Sequence, residues 1–239
     1  MPTRIDRDEV QRLLRDERAQ LIEVLPREAY DEAHLPDAMS LPLTELTRAR
    51  ADRLDRERPV VAYCYDFACD LSPRAAWRLE ALGFRNVYHY IGGKADWMAA
   101  GLPIEGTAAS LTLIGRLARP DVPTCPLSAR VAEIRPLLGE WSTCFVVNDE
   151  RIVLGRVYRS RLGDDDEARV EDVMDPGPVT FRPDITVDEM ADRMRRDELR
   201  TAPVRTSDGR LIGLVFRADV ERAASDRRER VDARSPVRS

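Results

Sequence analysis

The stretch that most constrains the fold runs from Val60 to Leu79. Val60-Val61-Ala62-Tyr63-Cys64 is a short, β-branched apolar run, and the connection Tyr65-Asp66-Phe67-Ala68-Cys69-Asp70-Leu71 closes it. A run this short and this apolar reads as a buried strand. Ser72 and Pro73 suit the cap and first position of a helix that continues through Ala75, Ala76 and Leu79. In an open α/β sheet, a residue at the carboxyl end of a strand lies at a crevice. The free N–H groups and positive dipole end of the following helix favour an anion there. The setting predicts a nucleophilic Cys64 with a pKa below the usual value of roughly 8.5.

The pattern around this stretch alternates. Asp6 to Asp16 reads as a helix, Leu21 to Val24 as a strand, Arg27 to Glu32 as a helix and Ala38 to Leu41 as a strand. A charged helix over Leu43 to Leu54, a strand over Asn86 to Tyr90 and a helix over Gly93 to Ala100 complete the set. Alternation of this kind predicts an α/β domain on a mainly parallel sheet. Gly101-Leu102-Pro103-Ile104-Glu105-Gly106 breaks it and sets the first domain at residues 1–107.

The second half contains a repeat. Pro126 to Leu162 can be laid over Pro183 to Val220, each copy a helix followed by a hairpin. The helices are Val131 to Leu138 and Val187 to Met194, and the turns are Asn148-Asp149-Glu150 and Ser207-Asp208-Gly209. Two such copies, at about 108–165 and 166–224, bury their apolar faces on each other and make an α+β domain. Residues 225–239 are charged and poor in apolar side chains, the composition of a disordered tail.

With 239 residues the chain has room for two domains. No apolar run approaches the roughly 20 residues of a membrane span, and Met1 to Asp6 lacks the apolar core of a signal peptide. A cytoplasmic location, with no membrane partner, is expected. The net charge of −5, with both signs interspersed, gives no reason to expect nucleic acid. Cys64, Cys69, Cys125 and Cys144 form no paired CxxC, so neither a metal site nor a secreted disulfide scaffold is expected. Cys125 and Cys144 read as ordinary buried thiols.

Tyr63-Cys64, the loop after it, the Ala-rich helix ending in Leu82-Gly83-Phe84, Asn86-Val87-Tyr88, Gly92-Gly93 and Trp97 resemble the rhodanese (sulfurtransferase) domain. Upstream, Leu21-Ile22-Glu23-Val24, Arg27-Glu28-Ala29-Tyr30 and His34-Leu35-Pro36-Asp37-Ala38 extend the resemblance over about residues 4–106. It implies that Cys64 is the nucleophile that carries sulfur as a persulfide between a small sulfur donor and a thiol acceptor, with no cofactor. Its active-site loop would comprise Tyr65, Asp66, Phe67, Ala68, Cys69, Asp70, Ser72 and Arg74. The family's common loop is shorter, contains glycine and closes on Arg or Lys. Here no glycine separates Cys64 from Ser72, and Asp66 and Asp70 add charge that opposes a thiolate and repels anionic donors. Slow turnover of thiosulfate is expected.

In the second half, Val173-Met174 before Pro178-Val179-Thr180, and Gly213-Leu214-Val215-Phe216-Arg217-Ala218-Asp219, resemble a tandem CBS-domain pair over about residues 108–224. The resemblance implies a homodimer through the pair and makes Asp219 a candidate for the ribose of an adenosine nucleotide. Phe216 stands where that family has Ser or Thr, and Tyr158 and Arg161 occupy the matching positions of the first copy.

Two other functions fit the same residues. One is a non-catalytic regulatory module that senses a ligand. The other is a redox sensor in which Cys64 and Cys69 form a disulfide. Phosphate or arsenate chemistry needs an arginine cradle just after the cysteine, and the acidic loop disfavours it. Arg27 and Arg74 read as solvated surface more readily than as anion guides. Glu23 reads as organising the sheet end, His34 as tethering its loop, and Gly92, Gly93 and Trp97 as turn and packing.

Overall fold

The computed structural model describes residues 1–232 and divides the chain into two units after Leu111. The division falls later than residue 107 because the segment after Gly106 stays with the first unit. Gly106 has φ +104°, and a Cβ there would stand 2.6 Å from the Glu32 carbonyl oxygen, so this backbone lies directly on the preceding helix end.

The first unit runs β1 (Thr3–Ile5), α1 (Arg7–Glu17), β2 (Gln20–Glu23), α2 (Arg27–Glu32), β3 (Met39–Ser40), α3 (Arg48–Ala51), β4 (Val60–Tyr63), α4 (Leu71–Ala81), β5 (Val87–Tyr90) and α5 (Gly93–Ala99). All strand pairs are parallel, in the order β1-β5-β4-β2-β3, so β4 is central and every residue in it is buried. Strand residues alternate between faces. Val60, Ala62 and Cys64 join Ala75, Ala76 and Leu79 of α4 in one core, and Val61 and Tyr63 join Val10, Leu13 and Trp97 in the other. The charged segment expected to be one helix over Leu43 to Leu54 breaks instead into a 3-10 turn, Leu43–Glu45, and the short α3. Thr47 lies between them and accepts the Arg50 N–H, capping a new helix start. The sequence pattern did not reveal β1. Its three residues bury only Ile5, too little for a visible alternation.

The second unit contains β6 (Thr124–Cys125), α6 (Val131–Leu138), β7 (Thr143–Val147), β8 (Val153–Tyr158), α7 (Val170–Val173), β9 (Asp175–Pro176), α8 (Val187–Arg196), β10 (Thr201–Arg205), β11 (Leu211–Phe216) and α9 (Arg217–Asp232). The repeat is present as α6-β7-β8 and α8-β10-β11, each hairpin antiparallel. Phe145 and Val147 of the first hairpin share a core with Leu211 and Leu214 of the second. Cys125 and Cys144 are buried in one core, and a hydrogen bond between the two thiols holds Cys125 below and Cys144 above the ordinary thiol pKa.

A disordered tail from Ser225 is not what the chain builds as far as Asp232. Helix α9 continues through this segment because Val220 and Ala224 anchor its start in a core. Arg227 and Arg228 then both pair with Asp188 at the start of α8. Residues 233–239 of the expected tail lie outside the described residues. Among the described residues, no helix is long and apolar enough to cross a membrane.

Candidate active site

Cys64 follows the last residue of β4 and is 1 % exposed. Its carbonyl oxygen accepts the Lys94 N–H at 3.0 Å, and that of Tyr65 accepts the Ala95 N–H at 2.9 Å. These donors are first-turn amides of α5, which have no partner inside their own helix. Gly93 makes the approach feasible. It has φ +59°, and a Cβ there would stand 2.6 Å from both carbonyl oxygens. Gly92-Gly93 is therefore a clamp on the cysteine's backbone as well as a turn.

The sulfur side is built by α4 and the loop. Helix α4 starts at Leu71 with Asp70 as N-cap residue, and the Asp70 side chain makes no capping bond. Ser72 does not cap the helix, as the sequence suggested, but lies inside the first turn, buried. Pro73 is tolerated beyond it because first-turn N–H groups lack intrahelical acceptors. This shift aims Ser72 at the cysteine: the Cys64 thiol lies 3.3 Å from the Ser72 Oγ and 3.4 Å from the Cys69 carbonyl oxygen.

The loop amides do not converge on the sulfur. The Ala68 N–H donates to Asp66 Oδ1 at 2.9 Å, and the Cys69 N–H to the Asp66 carbonyl at 3.1 Å. Asp66 is 8 % exposed and organises the loop around itself. With its amides taken, the loop leaves burial to dominate the thiol. Burial, then a hydrogen bond with the Cys69 thiol, push the Cys64 pKa up to about 12, against the opposing pull of the Ser72 hydroxyl and N–H. The expected lowering of this pKa is thus reversed in the closed loop. All four cysteines are free thiols.

Tyr65 is half-buried, with Lys94 Nζ 6.0 Å from its ring centre. Phe67, Ala68 and Asp70 are exposed, and Cys69 is half-buried. Arg74 is exposed and pairs with Asp70 at 3.4 Å, while Arg27 pairs with Asp31 at 2.9 Å. Arg74 and Arg78 line a groove of about 590 Å³ with Val24, Pro26, Pro42 and Leu71, past the carboxyl ends of β2 and β3.

The sequence reading passed over one pairing. Lys94, the chain's sole lysine, is 3 % exposed and donates to Glu23 Oε1 at 2.8 Å and to the carbonyls of Ala29 and Ala33, each at 2.7 Å. Burial holds the fully buried Glu23 carboxyl above its usual pKa against the pull of Lys94. A lone lysine among arginines was the available signal, because the compact ammonium fits this three-acceptor cage where a planar guanidinium does not. His34 tethers its loop, with Nδ1 2.7 Å from the Tyr30 carbonyl oxygen and Nε2 3.3 Å from Glu105.

In the second unit, Asp219 Oδ2 accepts from Arg119 at 2.6 Å, and the Arg119 guanidinium lies 4.6 Å from the Phe216 ring centre. Among the described residues, no cluster of three or more His, Cys, Asp or Glu could hold a metal ion.

Residues 6–100 match the rhodanese-like domain family, and residues 170–226 match the CBS domain family. Thiosulfate sulfurtransferase GlpE of Coxiella burnetii is 33% identical over 79 residues, which are 33% of this chain and 71% of that protein. An HTH-type transcriptional regulator of Mycobacterium tuberculosis is 35% identical over 85 residues, 36% of this chain and 37% of the regulator. Among solved structures, the CBS-pair protein CBSX2 of Arabidopsis thaliana aligns with a TM-score of 0.42 and 24% identity, covering 49% of this chain and 96% of its own.

Proposed function

The chain belongs to the rhodanese-like family and carries a CBS-domain pair behind that domain, and on this premise we propose that it is a sulfurtransferase holding sulfane sulfur on Cys64. The carrying observation is the placement of the thiol. Cys64 ends the central strand, its carbonyl is clamped by α5, and Ser72 offers both a hydroxyl and an N–H to its sulfur. Those two donors favour the thiolate over the thiol and suit an anionic persulfide equally.

With thiosulfate as donor, the Cys64 thiolate attacks the outer sulfur. The donor's S–S bond breaks, sulfite leaves with the electron pair, and a new S–S bond forms on Cys64. An acceptor thiolate then attacks that outer sulfur and leaves as a persulfide, returning the electron pair to Cys64. No metal or organic cofactor is required. The cytoplasm, where thiols stay reduced, is the fitting compartment. We assign the CBS pair to dimerisation or regulation of this reaction. An adenosine nucleotide at Asp219 would have to displace Arg119.

The Cys69 side chain, close enough to the Cys64 thiol to raise its pKa, favours a second reading, a thiol switch. Attack of Cys69 on the inner sulfur of a Cys64 persulfide would form the Cys64–Cys69 disulfide and expel hydrosulfide.

Intact mass after incubation with thiosulfate or a persulfide donor tests both. Sulfur transfer predicts the gain of one sulfur atom, reversed by cyanide, absent in Cys64→Ser and retained in Cys69→Ser. No gain with either donor would sink the enzyme reading. A gain only in Cys69→Ser, with a disulfide in the natural chain, would select the switch.

A further inference from the structure

A second cavity, of about 420 Å³, lies on the flank of α4 opposite the groove of Arg74 and Arg78, toward the β1 and β5 edge of the sheet. Cys69 and Ser72 line one end of it, and Ser72 is the residue that touches the Cys64 sulfur. Its wall is apolar in an unusual way. Every large apolar side chain that the first unit leaves exposed among the described residues, Met1, Phe67 (37 %) and Trp77 (54 %), lines this one cavity.

The polar side of the cavity is short of partners. Arg4 and His89 sit opposite each other in the β1–β5 register and both line the cavity. The Arg4 guanidinium has no carboxylate partner among the described residues. His89 is 9 % exposed, and its Nδ1 has no hydrogen-bond partner. A buried polar atom without a partner is costly, and an occupant that reaches it would relieve that cost. Burial, then the Arg4 charge, hold the imidazole pKa below its usual value, so His89 is neutral at pH 7 and can offer a single N–H. A guanidinium beside a neutral N–H donor suits a carboxylate, while an apolar wall ending at thiols suits a short hydrocarbon body that ends in sulfur.

The geometry points to this cavity as the seat of the sulfur acceptor, a small thiol that carries a carboxylate. The anion lies on Arg4 and His89, the body against Phe67 and Trp77, and the thiol at the Cys69 and Ser72 end. The acceptor thiolate attacks the outer sulfur of the Cys64 persulfide. The S–S bond to Cys64 breaks, its electron pair stays on Cys64 as thiolate, and the acceptor departs as its own persulfide. This assignment rests on the sulfurtransferase reading for its chemistry, but its binding geometry is independent of it.

The test uses the full chain and two probes, 3-mercaptopropionate and 2-mercaptoethanol, which share a thiol and differ in the carboxylate. Discharge of the Cys64 persulfide is followed against concentration of each, compared at equal thiolate. The expected result is a KM about tenfold lower for 3-mercaptopropionate, the effect of one charge-assisted contact. Arg4→Ala should erase that preference, and Arg4→Lys should keep part of it. Titration with 3-mercaptopropionate should also quench tryptophan fluorescence saturably, with the signal lost in Trp77→Phe. Equal KM values for the two thiols, or a titration that never saturates, would overturn the proposal; the latter would leave the apolar wall to a protein partner. A chain that takes up no sulfur but shows the Arg4-dependent titration keeps the site and loses only the reading beneath it.

Discussion

Cys64 shows how little of a residue's chemistry is set by its position in the chain. Strand end and helix start are both in place, yet the thiol is held protonated because Cys64 is 1 % exposed and burial outweighs the two Ser72 donors. With a pKa near 12, the thiolate fraction at pH 7 is on the order of 10⁻⁵ and rises tenfold per pH unit. Alkylation of Cys64 by iodoacetamide, followed by peptide mass, should therefore climb about tenfold per unit from pH 7 to pH 10 without levelling. A plateau below pH 10 would contradict the closed-loop environment. Linkage gives the sign for stability. The fold retains a proton that the unfolded chain releases near pH 8.5, so stability from this group is complete below that pH and is lost as pH rises toward 12. In Cys69→Ala the second largest raising influence disappears, and the whole alkylation profile should shift to lower pH. The acidic residues of the loop were legible in the sequence as opponents of a thiolate. The dominant influence was not, because it is burial of the thiol, which depends on how the loop folds over it.

Elements with a strong local signal lay where the sequence placed them. Strand β4 is a β-branched run closed by a polar loop, and α5 opens on a Gly-Gly pair. What the pattern could not give was the reason for the pair. Glycine marks a turn in any sequence, but here Gly93 lets two amides of α5 reach the carbonyls of Cys64 and Tyr65. Short elements with weak signals went the other way. The Leu43 to Leu54 segment has helical composition, yet Thr47 restarts it, and Ser72 looked like a cap two residues too late because Pro73 usually opens a helix. The clamp makes a sharp prediction. Gly93→Ala adds a Cβ at φ +59° against two carbonyl oxygens and should cost about 2–4 kcal/mol in denaturant unfolding. The same change should increase Cys64 alkylation at pH 8, because displacing the Cys64–Tyr65 backbone loosens the loop that shields the sulfur. Gly92→Ala offers a contrast: its Cβ would stand 2.6 Å from the Asp96 Cβ and away from the clamped carbonyls, so it should cost stability without raising Cys64 alkylation. An equal rise in Cys64 alkylation in the two variants would show that the clamp is not what positions the cysteine.

At the scale of the whole molecule, the repeat and the change of pattern after Ala100 announced two units, and α9 is the part that composition concealed. Its mean character is that of a solvated tail, but two apolar anchors, Val220 and Ala224, and a shared carboxylate, Asp188, fix it. Composition averages over a segment, whereas a helix needs only one buried stripe. The first unit owns two complete cores, one on each face of a parallel sheet whose strands all lie between Thr3 and Tyr90. Its buried ion pair is also internal: Lys94 closes on Glu23, Ala29 and Ala33. Among the described residues, the strands, core residues and buried ion pair of this unit have their partners within residues 1–111. Residues 1–111 produced alone should therefore unfold in one cooperative transition, as single domains of this size do. They should also reproduce the alkylation profile of Cys64 in the full chain. If the fragment were molten, or if its Cys64 titrated as an ordinary thiol near pH 8.5, the closed loop would depend on the CBS pair. That outcome would turn the second unit from an appended module into a direct determinant of the cysteine's chemistry.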